Sequence, residues 1–277
     1  FFLEKSLRLA KYVALVFPKF LLNTPEFSTT RAELAQKSVD AILDFGEKGF
    51  PGILVETIAI FINNLAAPAN TKVFSLTHRL HLTQPQAYIF DPELPYWIIY
   101  RNQLFDSVCR KLDFDVFEVF RDRQLTNKLL SSSGELRVLK SRNLSDDGKE
   151  ILDIPGYDSY ISYAAAKPLS VFQYLDAPNV YLTPNMTYKP RMMKKPPHCV
   201  VNGSLAILIP KGGIVPTEKQ LAYFSSEEYR AFYQIARNFQ TRSLNVDACS
   251  VFFYGLLRDE AKPAPEKFDT SVQLSFL

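Results

Sequence analysis

Little in this sequence offers ready-made chemistry. Its 277 residues hold three cysteines, Cys109, Cys199 and Cys249, odd in number and far apart. They form no C-x-x-C pair, which argues against both a disulfide framework and a zinc site. A reducing cytoplasm is the expected location. Histidine is equally thin: His78, His81 and His198 are the full set. His78-x-x-His81 suggests no third ligand, so no metal is expected. No apolar run reaches the ~18 residues that a bilayer crossing needs. No signal peptide is visible, and no membrane partner is expected. Lys211-Gly212-Gly213 lacks the spacing of a phosphate loop. No nucleophile elbow, Ser/His/Asp order, internal repeat or low-complexity tract occurs. A net charge of +3 decides nothing about nucleic acid, because local clustering of Lys and Arg matters more than the total.

What is present is an ordinary globular composition, 47% hydrophobic and 22% charged, with room for one large domain or two smaller ones. Residues 1–65 read helix, strand, helix, strand, strand. Apolar positions 2, 3, 7, 9 and 10 lie on one helical face. Val13 to Phe17 is a continuous apolar run ended by Pro18, which suits a strand buried on both sides. Thr30-x-x-Glu33 has the capping-box pattern and predicts a helix to about Asp40. Ala41–Phe45 and Leu54–Ile62 are further strands, and Thr71–Leu76 is a candidate for one more. Prolines 85, 92 and 95 then punctuate a connection. An apolar stripe of Trp97, Tyr100, Leu104, Phe105, Val108 and Leu112 predicts a helix from Tyr96 to Leu112. Beyond Phe114, short runs between turns predict a β-rich region with strands at 114–120, 136–139, 180–182 and 204–209. A helix is expected from Ser226 to Asn238. The expected division is 1–82 and 83–277.

The densest signal is Asp44-Phe45-Gly46-Glu47-Lys48-Gly49-Phe50-Pro51-Gly52, followed by Val55-Glu56-Thr57-Ile58. A strand ends on a charged turn, Phe50 rides a Gly-Phe-Pro-Gly loop, and a second strand leaves it. With Val16-Phe17-Pro18, Arg31, and the stretch from Tyr223 through Asn238-Phe239-Gln240-Thr241-Arg242-Ser243-Leu244-Asn245, this resembles N6-adenine DNA methyltransferases of restriction-modification systems, in the gamma motif order. The resemblance covers nearly the whole chain. It implies a fold that is the C-terminal half of a Rossmann-like methyltransferase sheet, residues 1–82, followed by a β-rich target-recognition domain, residues 83–277. It also implies that Phe50 stacks on a flipped target adenine. The bland alternative makes Phe50 a plug at the end of the sheet core.

The departures are equally specific. The family holds S-adenosylmethionine on a Gly-rich turn, and no G-x-G occurs here. Its catalytic motif is (Asp/Asn/Ser)-Pro-Pro-aromatic. The only Pro-Pro is in Lys195-Pro196-Pro197-His198, with a cation where an acceptor is needed. No residue of this chain is therefore expected to bind the cofactor, and S-adenosylmethionine is expected only in a longer protein. The chain starts at Phe1 in mid-helix, so it reads as the downstream part of such an enzyme, inactive alone.

Basic clusters supply the expected DNA contacts: Arg121 and Arg123; Lys140 and Arg142; and Lys189, Arg191, Lys194 and Lys195. Gln240, Thr241, Arg242 and Asn245 add amides, a hydroxyl and another guanidinium. Cations give phosphate affinity, while Arg, Gln and Asn read base edges. The expected partner is double-stranded DNA, with a restriction endonuclease as a separate or fused companion. The competing reading is a non-catalytic DNA-specificity subunit of a restriction-modification complex, which would have no use for a base-stacking Phe.

Overall fold

The computed structural model describes residues 2–241 and 245–258. It is a mixed α/β structure with several sheets. Two compact units divide between Arg110 and Lys111, rather than near residue 82, and the segment beginning at Gln234 belongs to the first. Among the described residues no helix is long and apolar enough to cross a membrane.

The first unit begins with α1 (Phe2–Leu9), β1 (Tyr12–Pro18), α2 (Ser28–Ala35), β2 (Ser38–Gly46) and β3 (Thr57–Asn63). These follow the expected order. β4 (Asn70–Ser75) realises the candidate strand, and β5 (Leu80–Pro85) is an addition the sequence did not announce. The sheet order is β1-β3-β2-β4-β5. β3 runs antiparallel to both β1 and β2, while β2 and β4 are parallel. The register puts Val13, Ile62 and Val39 in one row, and Leu15, Ile60, Ile42, Val73 and Leu82 in the next. That face carries the core. The opposite face presents Val16, 50% exposed, and Phe61, 41% exposed. β1 is hydrogen-bonded on one side only among the described residues.

Two helices differ from expectation, each for a tertiary reason. α2 stops at Ala35 instead of continuing to Asp40, and Thr30 lies inside it rather than at its cap. The buried Gln86 side chain donates to the carbonyls of Ala35 and Lys37 and accepts from the Val39 amide at 2.8 Å. One side chain from the one-turn helix α3 (Gln86–Ile89) thus closes the helix and opens β2. The helix expected from Tyr96 begins only at Gln103, as α4 (Gln103–Lys111). Asn238 prevents the earlier turns: its amide donates to the Trp97 carbonyl at 2.7 Å and accepts from the Ile99 amide at 2.9 Å. The Asn102 side chain then caps α4 by accepting from the Phe105 amide, as an N-cap should.

The second unit continues with β6 (Leu112–Asp113), β7 (Phe117–Phe120), β8 (Leu136–Leu139), β9 (Ser159–Ile161), α5 (Tyr163–Ala166), β10 (Tyr181–Pro184), β11 (Met193–Lys194), β12 (Cys199–Val201) and β13 (Leu205–Pro210). α6 (Glu218–Tyr223), α7 (Glu227–Ala236) and β14 (Leu256–Leu257) complete the described elements. The antiparallel sheet β11-β10-β13-β7 and the sheet β12-β8-β9 bury a shared aliphatic core that includes Val138, Ile161, Leu182, Val200 and Ile207. The four expected strands fall at β7, β8, β10 and β13. Phe224, Tyr229, Phe232, Phe253 and Tyr254 form a separate aromatic cluster with ring centroids 4.8–6.4 Å apart.

Candidate functional site

The loop from Phe45 to Glu56 leaves the sheet between β2 and β3. Its shape follows from its glycines. A Cβ on Gly49 would meet Thr57 Oγ1 at 2.2 Å, and Gly52 has φ +78°. Neither position tolerates a side chain without strain. Lys48 N–H donates to the Phe45 carbonyl and Ile53 N–H to the Phe50 carbonyl, making two consecutive turns. Phe50 rides at the start of the second turn and is 45% exposed. It is not a core plug. Ile53, Leu54 and Val55 are also exposed, so the loop offers an apolar surface to solvent.

Beneath the loop lies a polar cluster that the sequence did not reveal. Lys19, Asp44 and Glu56 are all buried. Lys19 Nζ donates to Asp44 Oδ2 at 2.7 Å and lies 3.8 Å from Glu56. The Tyr100 hydroxyl donates to the same Asp44 oxygen at 2.5 Å, and Gly46 N–H to the other at 2.8 Å. Burial, and then the Asp44 charge, hold the Tyr100 phenol well above its ordinary pKa, so it serves only as a neutral donor. Each partner comes from the end of a separate apolar segment. No spacing rule links positions 19, 44, 56 and 100, which is why sequence reasoning missed them.

Thr241 closes the arrangement. Its backbone amide donates to the Glu56 carboxylate at 3.0 Å, and its hydroxyl to Glu47 at 3.0 Å. One residue thereby ties together the two ends of the loop. Gln240 is buried, with its side-chain oxygen accepting from Asn23 at 2.6 Å. Gln240, expected to contact DNA, is instead a buried brace, while Thr241 stays exposed. Just before them, Asn238 and Phe239 both have positive φ, +50° and +52°. For Phe239 this is a sparsely populated conformation that costs about 1–3 kcal/mol.

The Phe239 ring packs on His78 at 4.7 Å and edge-on to Tyr100 at 5.2 Å. Desolvation, and secondarily Lys19, hold the His78 pKa below its ordinary 6.5, against a smaller opposite pull from Asp44 and Glu56. A depressed histidine makes the unfolded chain take up its proton first. Stability from this group is therefore complete above 6.5 and is lost as the pH falls towards the folded-state pKa. Melting temperatures below pH 6.5 should decline more steeply in the wild type than in His78→Gln. Parallel slopes would remove His78 as the cause.

In the second unit the basic side chains divide by burial. Arg123, Arg142, Lys189 and Lys194 are exposed, and Arg121 and Lys140 are half-buried. Lys140 and Arg142 both lie over the Tyr157 ring, 3.9 and 4.7 Å from its centroid. Lys189 pairs with Asp146 at 3.2 Å. Arg191 is buried and donates to the carbonyls of Lys189, Ser141 and Leu144. Lys195 is 4% exposed, and its amine donates to Leu175 O at 2.7 Å and Pro196 O at 2.9 Å. Burial holds its pKa down. These two cations tie loops together and are corrected from the expected phosphate contacts. Asn245 accepts from Asn185 at 2.8 Å. Arg242 lies outside the described residues.

No family model matches the chain, and no curated protein does. Among solved structures, the chain is similar to the Type IIL restriction-modification enzyme MmeI in complex with DNA, with a TM-score of 0.46 and 11% identity. That match covers 87% of this chain and 38% of MmeI. A second similarity is to the type IIG restriction endonuclease BpuSI, with a TM-score of 0.35 and 10% identity over 94% of this chain and 42% of BpuSI. The chain thus spans about two fifths of the length of either.

Proposed function

We propose that this chain is the base-holding edge and target-recognition part of a site-specific adenine-N6 DNA methyltransferase in a restriction-modification system. The observation that carries the reading is Phe50: a half-exposed ring on a glycine-shaped loop, braced from below by a buried ion pair. An enzyme that modifies a base must take it out of the stack and hold its face. A solvent-facing aromatic meets that need, and a pure specificity subunit has no use for one.

The residues present do not fit the methyl donor. The sequence has no G-x-G turn, and the Lys195-Pro196-Pro197-His198 segment is a structural turn whose lysine is committed to carbonyls. No step of the transfer is therefore assigned to this chain beyond holding the base and the duplex. S-adenosylmethionine belongs, in this reading, to residues of the complete protein outside this chain, and a nuclease is its expected companion, fused or separate.

Phosphate contact falls to the exposed cations. Lys194→Ala and Arg142→Ala should each weaken binding to all duplexes alike and reduce the slope of log K against log salt by about one unit. Lys195→Ala should instead lower the melting temperature. An unchanged slope in both exposed variants would remove this surface from the duplex. The class itself is tested by incubating the complete protein with labelled S-adenosylmethionine and DNA and hydrolysing the product. Label in N6-methyladenine is expected. Label in cytosine, or none, would overturn the proposal.

A further inference from the structure

The outer edge of strand β5 carries a feature that the methyl-transfer reading does not use. Gln86 N–H donates to the Ala69 carbonyl at 2.7 Å, one step beyond the Asn70–Pro85 pair of the β4–β5 ladder. Bonded and non-bonded pairs alternate along an antiparallel ladder. Gln84, Leu82 and Leu80 therefore turn their backbone groups to β4, and His81 and Thr83 turn theirs outward. β5 ends the sheet order, so no strand among the described residues meets that row. His81 and Thr83 are both exposed. They present two donors and two acceptors, spaced about 6.8 Å along the strand, which is the two-residue repeat of an extended chain. An open edge of this kind is a template for a further strand.

The two faces beside that edge specify what an added strand carries. On the core face Leu80, Leu82, Leu104 and Phe239 line a cavity of about 290 Å³, with Asn102 and Gln103 also in its wall. Every second side chain of an added strand enters this cavity. Its volume is at the lower limit for ligand sites and suits about one or two aliphatic residues. On the other face Lys72 lies opposite Thr83 in the ladder, and Arg79 sits in the turn before β5. Both cations are exposed. The sequence has no Asp or Glu between Glu56 and Asp91, so no acid of the hairpin itself offsets them. The intervening side chains of an added strand meet these cations, and carboxylates are their complement.

We propose that β5 docks an extended peptide segment of another protein in which apolar and acidic residues alternate. Its backbone pairs with His81 and Thr83, its apolar side chains fill the cavity, and its carboxylates face Lys72 and Arg79. In strand addition to a sheet edge, main-chain bonds give affinity and pockets for alternate side chains give specificity. A nucleic-acid strand answers the two cations but has no matching row of amides. The inference is independent of the role given to Phe50.

The test is fluorescence-anisotropy titration of the full chain with labelled heptapeptides, read together with amide hydrogen exchange and melting curves. The probes are a peptide alternating Glu and Leu, the same peptide N-methylated at its central amides, and the same peptide with Lys for every Glu. An all-thymine single strand is the competing anion. The Glu/Leu peptide should bind saturably and slow exchange at His81 and Thr83, while Leu82, already bonded to β4, stays unchanged. N-methylation should weaken binding roughly tenfold or more, the loss of one or two hydrogen bonds. Thr83→Pro removes an outward donor that the β4 ladder does not use, and in folded protein it should weaken binding. Lys72→Glu, a surface change, should weaken the Glu/Leu peptide and favour the Lys/Leu peptide. No saturable binding, equal binding of the N-methylated peptide, or unchanged affinity in folded Lys72→Glu would overturn the proposal. So would displacement of the peptide by the thymine strand at equal concentration, which would make the edge a nucleic-acid surface.

Discussion

Lys19→Met should be the most damaging single substitution in the first unit, costing about 3–5 kcal/mol of stability. The methionine has nearly the right shape, so the loss is not one of volume. It comes from Asp44, which is fully buried and whose Oδ2 would keep only the Tyr100 hydroxyl as its 2.5 Å donor. An uncompensated buried carboxylate is expensive, whereas a pair removed together costs far less. Lys19→Met combined with Asp44→Asn should therefore recover part of the loss, although each change alone destabilises. At about 4 °C per kcal/mol for a domain of this size, the single variant should melt roughly 12–20 °C lower. Urea titration and thermal melts of the two single variants and the double variant measure the coupling. Additive losses would mean that the two charges do not depend on one another. The loop above should loosen with the pair, because Gly46 and Glu56 are tied into the same cluster.

If the proposed function holds, Phe50→Ala in the complete protein should lose methyl transfer and not stability. Stacking of a base on an aromatic is worth about 1–3 kcal/mol. At 1.4 kcal/mol per decade, methyl transfer should fall roughly ten- to a hundredfold. Phe50→Tyr and Phe50→Trp keep a π face and should retain much of the rate. The ring is 45% exposed, so the alanine variant should melt close to the wild type, well short of the ~3–5 kcal/mol that a buried Phe costs. Single-turnover methylation and thermal melts on the same samples report both quantities. Undiminished methylation by folded Phe50→Ala would withdraw the stacking role.

The strands of the first unit were legible because their signal is local. Val13–Phe17 and Ile58–Ile62 are apolar runs that satisfy themselves within a sheet, and Pro18 and the glycines of 46–52 mark where the strands stop; Leu54 and Val55, included in the expected strand, lie exposed in the loop, and β1 has one exposed face instead of two buried ones. The Gly-Phe-Pro-Gly loop was legible for the same reason: its conformation depends on the residues that compose it. The same holds for β8 and β13 in the second unit, whose apolar runs lie between clear turn signals.

What local reading could not supply was decided by polar groups meeting across long stretches of sequence. The amphipathic stripe from Tyr96 is genuine, yet Asn238 binds the backbone of Trp97 and Ile99 and holds those residues out of the helix. Gln86 ends α2 from fifty residues away. Lys195 and Arg191 look like surface cations by composition, but backbone carbonyls claim them in the interior. Lys19 and Tyr100 carry no motif, and no spacing joins them to Asp44 and Glu56. By itself the sequence determined most of β1 to β4, β7, β8, β10 and β13, where the loop turns and which aromatic it displays, because propensity and sterics act between neighbours. Only the tertiary structure decided which charges are buried, what braces the loop and where a cavity opens, because a buried polar group must find its partner wherever the fold brings one within hydrogen-bonding distance.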